Sequence, residues 1–128
     1  MLIENMLIEK YVMDFLSGKL GVPAYGQSDD ATEKVFLVIE KTGSYTSNKI
    51  EHATLAVQSY AGSIAESAKL NRKVIKAMNS IIENDAISSI SLNSDYNYTD
   101  ISLKKYRYQA VFDITYFGYK LWVMSFFI

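Results

Sequence analysis

The chain of 128 residues contains no cysteine and only one histidine. The absence of cysteine excludes disulfides, thiolate nucleophiles and cysteine-based metal sites. His52 has no second histidine or cysteine with which to share a metal ion, and no serine–acid pairing lies near it in sequence. We interpret His52 as a solvated residue at a strand edge. No metal-binding residue is predicted.

The six glycines are also uninformative about chemistry, because their spacing forms neither a P-loop nor a dinucleotide fingerprint. Two acidic pairs, Asp29 with Asp30 and Glu83 with Asp85, fall where loop and helix-end carboxylates are usually only solvated. The sequence therefore predicts no cofactor and no catalytic residue, and we expect the protein not to be an enzyme.

The chain also has no large excess of positive or negative charge. Thirteen basic and 14 acidic residues give a net charge of −1, which creates no global field for nucleic acid or anionic lipid. Residues 104–108 mix basic and aromatic types, but they lack the glycine and phenylalanine positions of the RNA-recognition signature. The apolar run at residues 121–128 is too short to span a bilayer. We expect no nucleic-acid specificity and no membrane association.

What the chain does contain is the material for one domain, residues 1–128, organised around a strand, a turn and a helix at residues 53–82. Residues 53–60 alternate like a strand, and Ser63 with Glu66 forms a capping-box pattern. Apolar residues then recur at helical spacing, with further ones widening the stripe. These are Ile64, Ala68, Ile75, Met78 and Ile82, widened by Val74, Ala77 and Ile81.

The flanking segments supply further elements. A helix is predicted over residues 4–20, with Ile8, Val12, Phe15 and Leu16 on one face and Gly21 ending it. Residues 22–25 predict a short edge strand, and residues 35–41, 87–98 and 106–117 predict longer strands. Residues 42–49 are polar and predict a projecting, mobile loop.

Together these elements predict an α+β fold, in which a mostly antiparallel sheet is covered by the long central helix and the N-terminal helix. Strand 35–41 is expected to pair with 53–60, with both its faces covered, and strand 87–98 with 106–117. In strand 87–98 the alternation places four apolar or aromatic residues on one face. These are Ile90, Leu92, Tyr96 and Tyr98.

The two ends of the chain stand apart from this pattern. The first four residues recur at residues 6–9, which indicates a duplicated start over residues 1–5. Residues 118–128 form an apolar C-terminal extension. We expect its residues 121–128 to extend the last strand or to contact a neighbouring copy, with burial in the same subunit as the alternative.

An ordered set of segments between residues 6 and 117 resembles the tail terminator, or tail completion, proteins of long-tailed bacteriophages. The set begins with the opening helix running into Leu20-Gly21-Val22-Pro23, and it includes an Ala-rich amphipathic helix after the second strand. The remaining segments are Ile39-Glu40-Lys41-Thr42-Gly43, Leu55-Ala56-Val57-Gln58-Ser59-Tyr60-Ala61, Tyr96-Asn97 with Asp100, and Arg107-Tyr108-Gln109-Ala110-Val111-Phe112-Asp113. The doubled start and the apolar C-terminus depart from the family pattern.

The resemblance implies a structural role in the virion, at the junction of tail and neck. Such proteins form a hexameric ring on the finished tail tube, stop its polymerisation and present a surface for the head connector. The implied partners are other copies of the chain, the major tail tube protein and the head–tail connector protein. Candidate interface residues are Thr42, Gly43, Ser44, Tyr45, Thr46, Tyr96 and Tyr98. A neighbouring neck protein (a stopper or adaptor) and a small nucleic-acid-binding module are the alternatives.

Overall fold

The computed structural model describes residues 2–124, and the side chains of residues 8–121. Within this range the chain forms five strands and three α-helices, with short 3-10 turns at Ser28–Asp30 and Ser80–Glu83. The helices are α1 (Leu2–Leu20), α2 (Ile64–Asn79) and α3 (Gly118–Met124). The strands are β1 (Ala24–Tyr25), β2 (Phe36–Ser47), β3 (Ile50–Ala61), β4 (Ile87–Asn97) and β5 (Tyr106–Tyr116).

The strands form one sheet in the order β1-β2-β3-β5-β4. All neighbours are antiparallel except β1 and β2, which run parallel at one edge. The α+β fold and both predicted strand pairings are confirmed, and the edge strand predicted at residues 22–25 is present as β1. The two hairpins are joined by pairing of β3 with β5, in which Leu55 lies opposite Phe112.

Helix α1 ends where the sequence predicts. Gly21 adopts a φ of +66°, a left-handed conformation that favours glycine, and its N–H donates to the carbonyl of Ser17 at 2.8 Å. Ile8, Val12 and Leu16 are fully buried in the main core, as expected for one helix face. Residues 2–5, predicted as a duplicated start, belong to this helix.

Helix α2 begins at the predicted cap, because Ser63 Oγ accepts a hydrogen bond from the backbone N–H of Glu66 at 3.1 Å. The predicted apolar stripe is wrong at its two ends, since Ile64 and Ile82 are exposed while Ile81 is fully buried. Two polar residues, Ser67 and Asn71, occupy the buried face instead. Asn71 Nδ2 donates to Asp95 Oδ1 of β4 at 2.5 Å, which offsets part of its burial cost.

The predicted loop at residues 42–49 is a hairpin instead. β2 continues to Ser47, and a two-residue turn at Asn48 and Lys49 returns the chain into β3. Both turn residues have positive φ, +52° and +65°, which matches the twist of tight hairpins and suits asparagine. The polar composition that suggested a loop instead reflects exposure, because every residue from 42 to 47 is exposed.

A second, smaller core covers the other face of the sheet at one end. Phe36 stacks on Tyr60 with ring centroids 4.4 Å apart, and Val38, Tyr25 and Ala31 pack around them. Tyr25 Oη donates to Glu33 Oε1 at 2.5 Å, and this hydrogen bond lowers the pKa of the Glu33 carboxyl. Residues 36–39 therefore have both faces covered, as the apolar run predicts.

The expectation that the C-terminal extension prolongs the last strand is wrong as far as Met124. After β5 the chain turns into α3, beginning with a hydrogen bond from the Leu121 N–H to the Phe117 carbonyl at 3.0 Å. α3 contacts α1, and Leu121 is buried within the same subunit. Residues 125–128 lie outside the described residues, so the expected contact with a neighbouring copy stays a prediction for them.

The end of α2 offers a direct test of this packing. Ile81→Ala is expected to lower the free energy of unfolding by about 2–5 kcal/mol, because Ile81 is fully buried and its truncation leaves a cavity. The adjacent Ile82→Ala is the matched control, since Ile82 is 44% exposed and its truncation is expected to cost less than about 1 kcal/mol. Urea unfolding midpoints measure both, and equal losses would contradict the orientation of this segment.

Candidate interaction surfaces

The predicted interface residues fall at two distant places on the sheet. Tyr45 pairs with His52, which lies beside Thr115, whereas the opposite end of the sheet pairs Tyr60 with Arg107. The backbone N–H of Tyr98 donates to the Arg107 carbonyl, so Tyr96 and Tyr98 belong to that second end. The structure therefore brings Tyr96 and Tyr98 together but places residues 42–46 at the diagonal corner.

At the first corner the β2–β3 hairpin carries an ordered aromatic pair. Tyr45 is 64% exposed, and its ring stacks on the imidazole of His52 with centroids 4.3 Å apart and planes 4° from parallel. Thr46 Oγ1 donates to Glu51 Oε2 at 2.8 Å on the same hairpin. His52 is half-buried on the interior strand β3, so its predicted position at a strand edge is wrong. The stacking thus favours one orientation of the Tyr45 ring.

At the second corner Arg107 holds two tyrosines. Its guanidinium carbon lies 4.5 Å from the centroid of the Tyr98 ring and 5.6 Å from that of Tyr60. Arg107 Nη1 donates to Tyr60 Oη at 2.7 Å, and Nε donates to the Tyr98 carbonyl at 2.8 Å. Cation–π contact and hydrogen bonding together fix the planar guanidinium between the rings.

Two buried amides extend this arrangement to Tyr96. Gln58 Nε2 donates to Gln109 Oε1 at 2.9 Å, and Gln109 Nε2 donates in turn to Tyr96 Oη. Tyr60 Oη donates to Gln58 Oε1 at 3.3 Å, which links the chain of hydrogen bonds back to Arg107. We call this network the Tyr–Arg cluster, and it comprises Gln58, Tyr60, Tyr96, Tyr98, Arg107 and Gln109.

Sequence reasoning missed most of this cluster. A β-bulge between Leu92 and Ser94 breaks the predicted alternation of β4, so that Leu92 lies opposite Phe112 of the main core while Tyr96 lies opposite Gln109 on the other face. The cluster depends on the register of β3 with β5, which aligns Gln58 with Gln109. Local patterns do not reveal such a non-local pairing.

Beyond the cluster, the β4–β5 turn presents two exposed aliphatic side chains. Ile101 and Leu103 are 74% and 63% exposed. Asp100 Oδ1 accepts hydrogen bonds from Ser102 Oγ at 2.7 Å and from the Leu103 N–H at 3.2 Å. These bonds, that from Ser102 foremost, hold the pKa of the Asp100 carboxyl below its ordinary value. The turn is therefore ordered, and the side chains at its tip are apolar.

Metal-binding groups and surface grooves are the remaining features of the described part of the chain. Residues in this part form no group of three or more histidine, cysteine, aspartate or glutamate side chains that could hold a metal ion. One groove of about 320 Å³ lies beside Tyr45 and His52, and another of about 580 Å³ lies beside Phe36, Tyr60 and Lys105. Both are open surface features bordered by the corners described above.

Comparison with known proteins adds no assignment, because the chain matches no protein-family model and no curated protein. Across residues 2–124, no helix combines the length and apolar character needed to cross a membrane. The two sheet corners and the β4–β5 turn are the candidate interaction surfaces.

The β4–β5 turn has a testable titration. Since the folded-state pKa of Asp100 is lowered, its ionised form stabilises the turn above the ordinary carboxyl pKa, and that contribution is lost as the pH falls through the lowered value. Ser102→Ala is expected to raise the pKa of Asp100 towards its ordinary value, because the principal hydrogen bond is removed. NMR titration of the side-chain carboxyl carbon measures it, with the exposed Ser88→Ala as control. An unchanged pKa would contradict the turn geometry.

Proposed function

We propose that this chain is a structural protein that forms a ring on the end of a phage tail tube, stops tube polymerisation and offers a surface for joining the head. One observation carries the proposal: each subunit has two exposed sheet edges on opposite sides, and both edges lack charge over long runs. Thr42 to Ser47 on β2 and Ile87 to Ser94 on β4 contain no charged residue. Subunits of a ring meet through two different patches, which such edges provide.

The distribution of features along the strands suits a two-sided cap. The β2–β3 turn at Asn48 and Lys49 lies at one end of the sheet, and the β4–β5 turn with Ile101 and Leu103 lies at the other. If the strands run along the axis of the ring, one rim carries the β2–β3 turns with Tyr45 nearby. The other rim carries the β4–β5 turns with Ile101 and Leu103. One rim would contact the tube and the other the head connector.

Modest contacts suffice for such a cap. In the six-fold ring that the family resemblance implies, each rim repeats the same contact once per subunit. Weak contacts on one ring act together through effective concentration, so a subunit that associates weakly in solution assembles firmly on the tube. The stacking of Tyr45 on His52 lowers the side-chain entropy lost when that contact forms.

The test is a phage that lacks this gene. Electron microscopy is expected to show tails of uncontrolled length that are not attached to full heads, and the wild-type chain supplied in trans should restore normal particles. Tails of normal length that fail to join heads would assign the chain to the neighbouring neck proteins instead. Normal infectious particles would overturn the structural role altogether.

Complementation also tests the hairpin rim. Tyr45→Ala is expected to lower the yield of infectious particles by about tenfold or more, because an exposed and pre-oriented tyrosine is a typical interface anchor. Lys73→Ala is the control, since Lys73 is also exposed but lies in the middle of α2, away from the hairpin end of the sheet. Plaque titres measure both variants, and equal yields would remove Tyr45 from the interface.

A further inference from the structure

We infer that copies of this chain associate by pairing β4 of one copy with β2 of the next, so that their sheets continue as one antiparallel sheet. The inference rests on the proposed function only for its biological use, because ring closure on a tube requires self-association. The pairing itself follows from the backbone edges, and purified protein is sufficient to test it.

Both edges expose backbone that no described strand covers. β1 pairs only with Leu37 and Val38 of β2, which leaves the part of β2 from Glu40 to Ser47 without a neighbouring strand on its outer side among residues 2–124. β4 is the other terminal strand of the sheet, and no described strand lies beyond it. Proteins usually protect long edges with lysine or proline, yet β4 contains neither residue type and the unpaired part of β2 contains one lysine, Lys41, near its start.

The strand directions fit such a pairing. β2, β3, β5 and β4 are successively antiparallel, so β2 and β4 run in opposite directions within one subunit. A second copy placed beside the first in the same orientation therefore brings its β2 antiparallel to the exposed β4. Because the two edges differ, every copy keeps one edge for the next, and the contact is heterologous.

The hydrogen-bonding phase of each edge selects a register. On β2, Ser47 pairs with Ile50 across the two-residue turn, so the alternate residues direct their backbone N–H and C=O groups outwards. On β4, the Tyr98 N–H points inwards to Arg107, which sets the same alternation there. The outward residues are Lys41, Ser44 and Thr46 on β2, and Ile90, Leu92 and Asp95 on β4.

The β-bulges strengthen this choice of register. The register of β2 shifts once, between Lys41 and Gly43, and that of β4 shifts twice, between Ile87 and Ser89 and between Leu92 and Ser94. Only the second shift of β4 lies within residues 90–95, so each of the two paired segments has one step of three residues. A bulge alone disfavours edge pairing. Placing the two bulges opposite each other keeps the outward residues of both edges in step. That register places Ser44 opposite Leu92 of the next copy and Thr46 opposite Ile90.

The same register sets Lys41 opposite Asp95 of the next copy, which is a favourable cross-strand charge pair. Asp95 uses Oδ1 to accept from Asn71 of its own subunit, and Oδ2 accepts no hydrogen bond from any described residue. The charge therefore has one oxygen available at the edge. The aligned bulges and the opposite charges are independent features that favour the same register.

Engineered disulfides test the inference cleanly because the natural chain has no cysteine. A chain carrying both Ser44→Cys and Leu92→Cys should form disulfide-linked dimers, trimers and longer species on oxidation. Residues directly opposite in a hydrogen-bonded antiparallel pair have Cα atoms about 5.5 Å apart, which suits a disulfide. The two positions lie on opposite edges of their own sheet, so the bond forms only between copies. Thr46→Cys with Ile90→Cys should give the same series.

The matched control combines Ser44→Cys with Ile82→Cys, since Ile82 is as exposed as Leu92 but lies after α2 rather than on an edge. This control is expected to stay monomeric, as are the single variants. Because disulfides accumulate over minutes to hours, even a transient contact at high protein concentration is trapped. Absent multimers, equal crosslinking of the control, or dimers from Ser44→Cys alone would each overturn the pairing. Melting curves under reducing conditions verify that every variant is folded.

Discussion

The structure depends on the pairing of β3 with β5, because this register joins two hairpins that would otherwise be separate units. It sets Leu55 opposite Phe112 and Val57 opposite Ala110 in the main core. A shift of one residue would turn these side chains to the opposite face and expose them. The same register sets Gln58 opposite Gln109 and Tyr60 opposite Arg107, so one pairing builds the core on one face and the Tyr–Arg cluster on the other.

The parts of the fold that sequence alone predicts are those decided by neighbours in the chain. The Gly21 helix end and the Ser63 cap are local, and both hairpins pair segments that follow each other. The wrong predictions of secondary structure arise where the composition of a segment is compatible with more than one structure. The polar segment after Lys41 suggested a loop, although a strand with both faces solvated has the same composition. The C-terminal apolar run suggested a strand, although α3 buries Leu121.

The candidate surfaces show the same limit. Exposure of Tyr45, Tyr96 and Tyr98 is compatible with an interface, but only the sheet register shows that Arg107 holds Tyr98 while His52 supports Tyr45. The bulge in β4 carries no clear signal in the sequence, and it alone moves Tyr96 to the face opposite Leu92. Non-local pairing and an inserted residue thus decide which side chains meet, and periodicity detects neither.

The arrangement of layers also limits how a subunit engages neighbours. The main core, to which α1, α2 and α3 all contribute, occupies one face of the sheet, and the second core covers one end of the other. The surfaces that remain are the outer faces of the helices, the two edges, the rest of the second face and the two turns. Lateral contacts through the edges use the backbone of β2 and β4 and leave both turns accessible at the ends of the sheet, and Tyr45 is the residue that lies in both regions. That separation suits the proposed ring, which would bind a different partner on each rim.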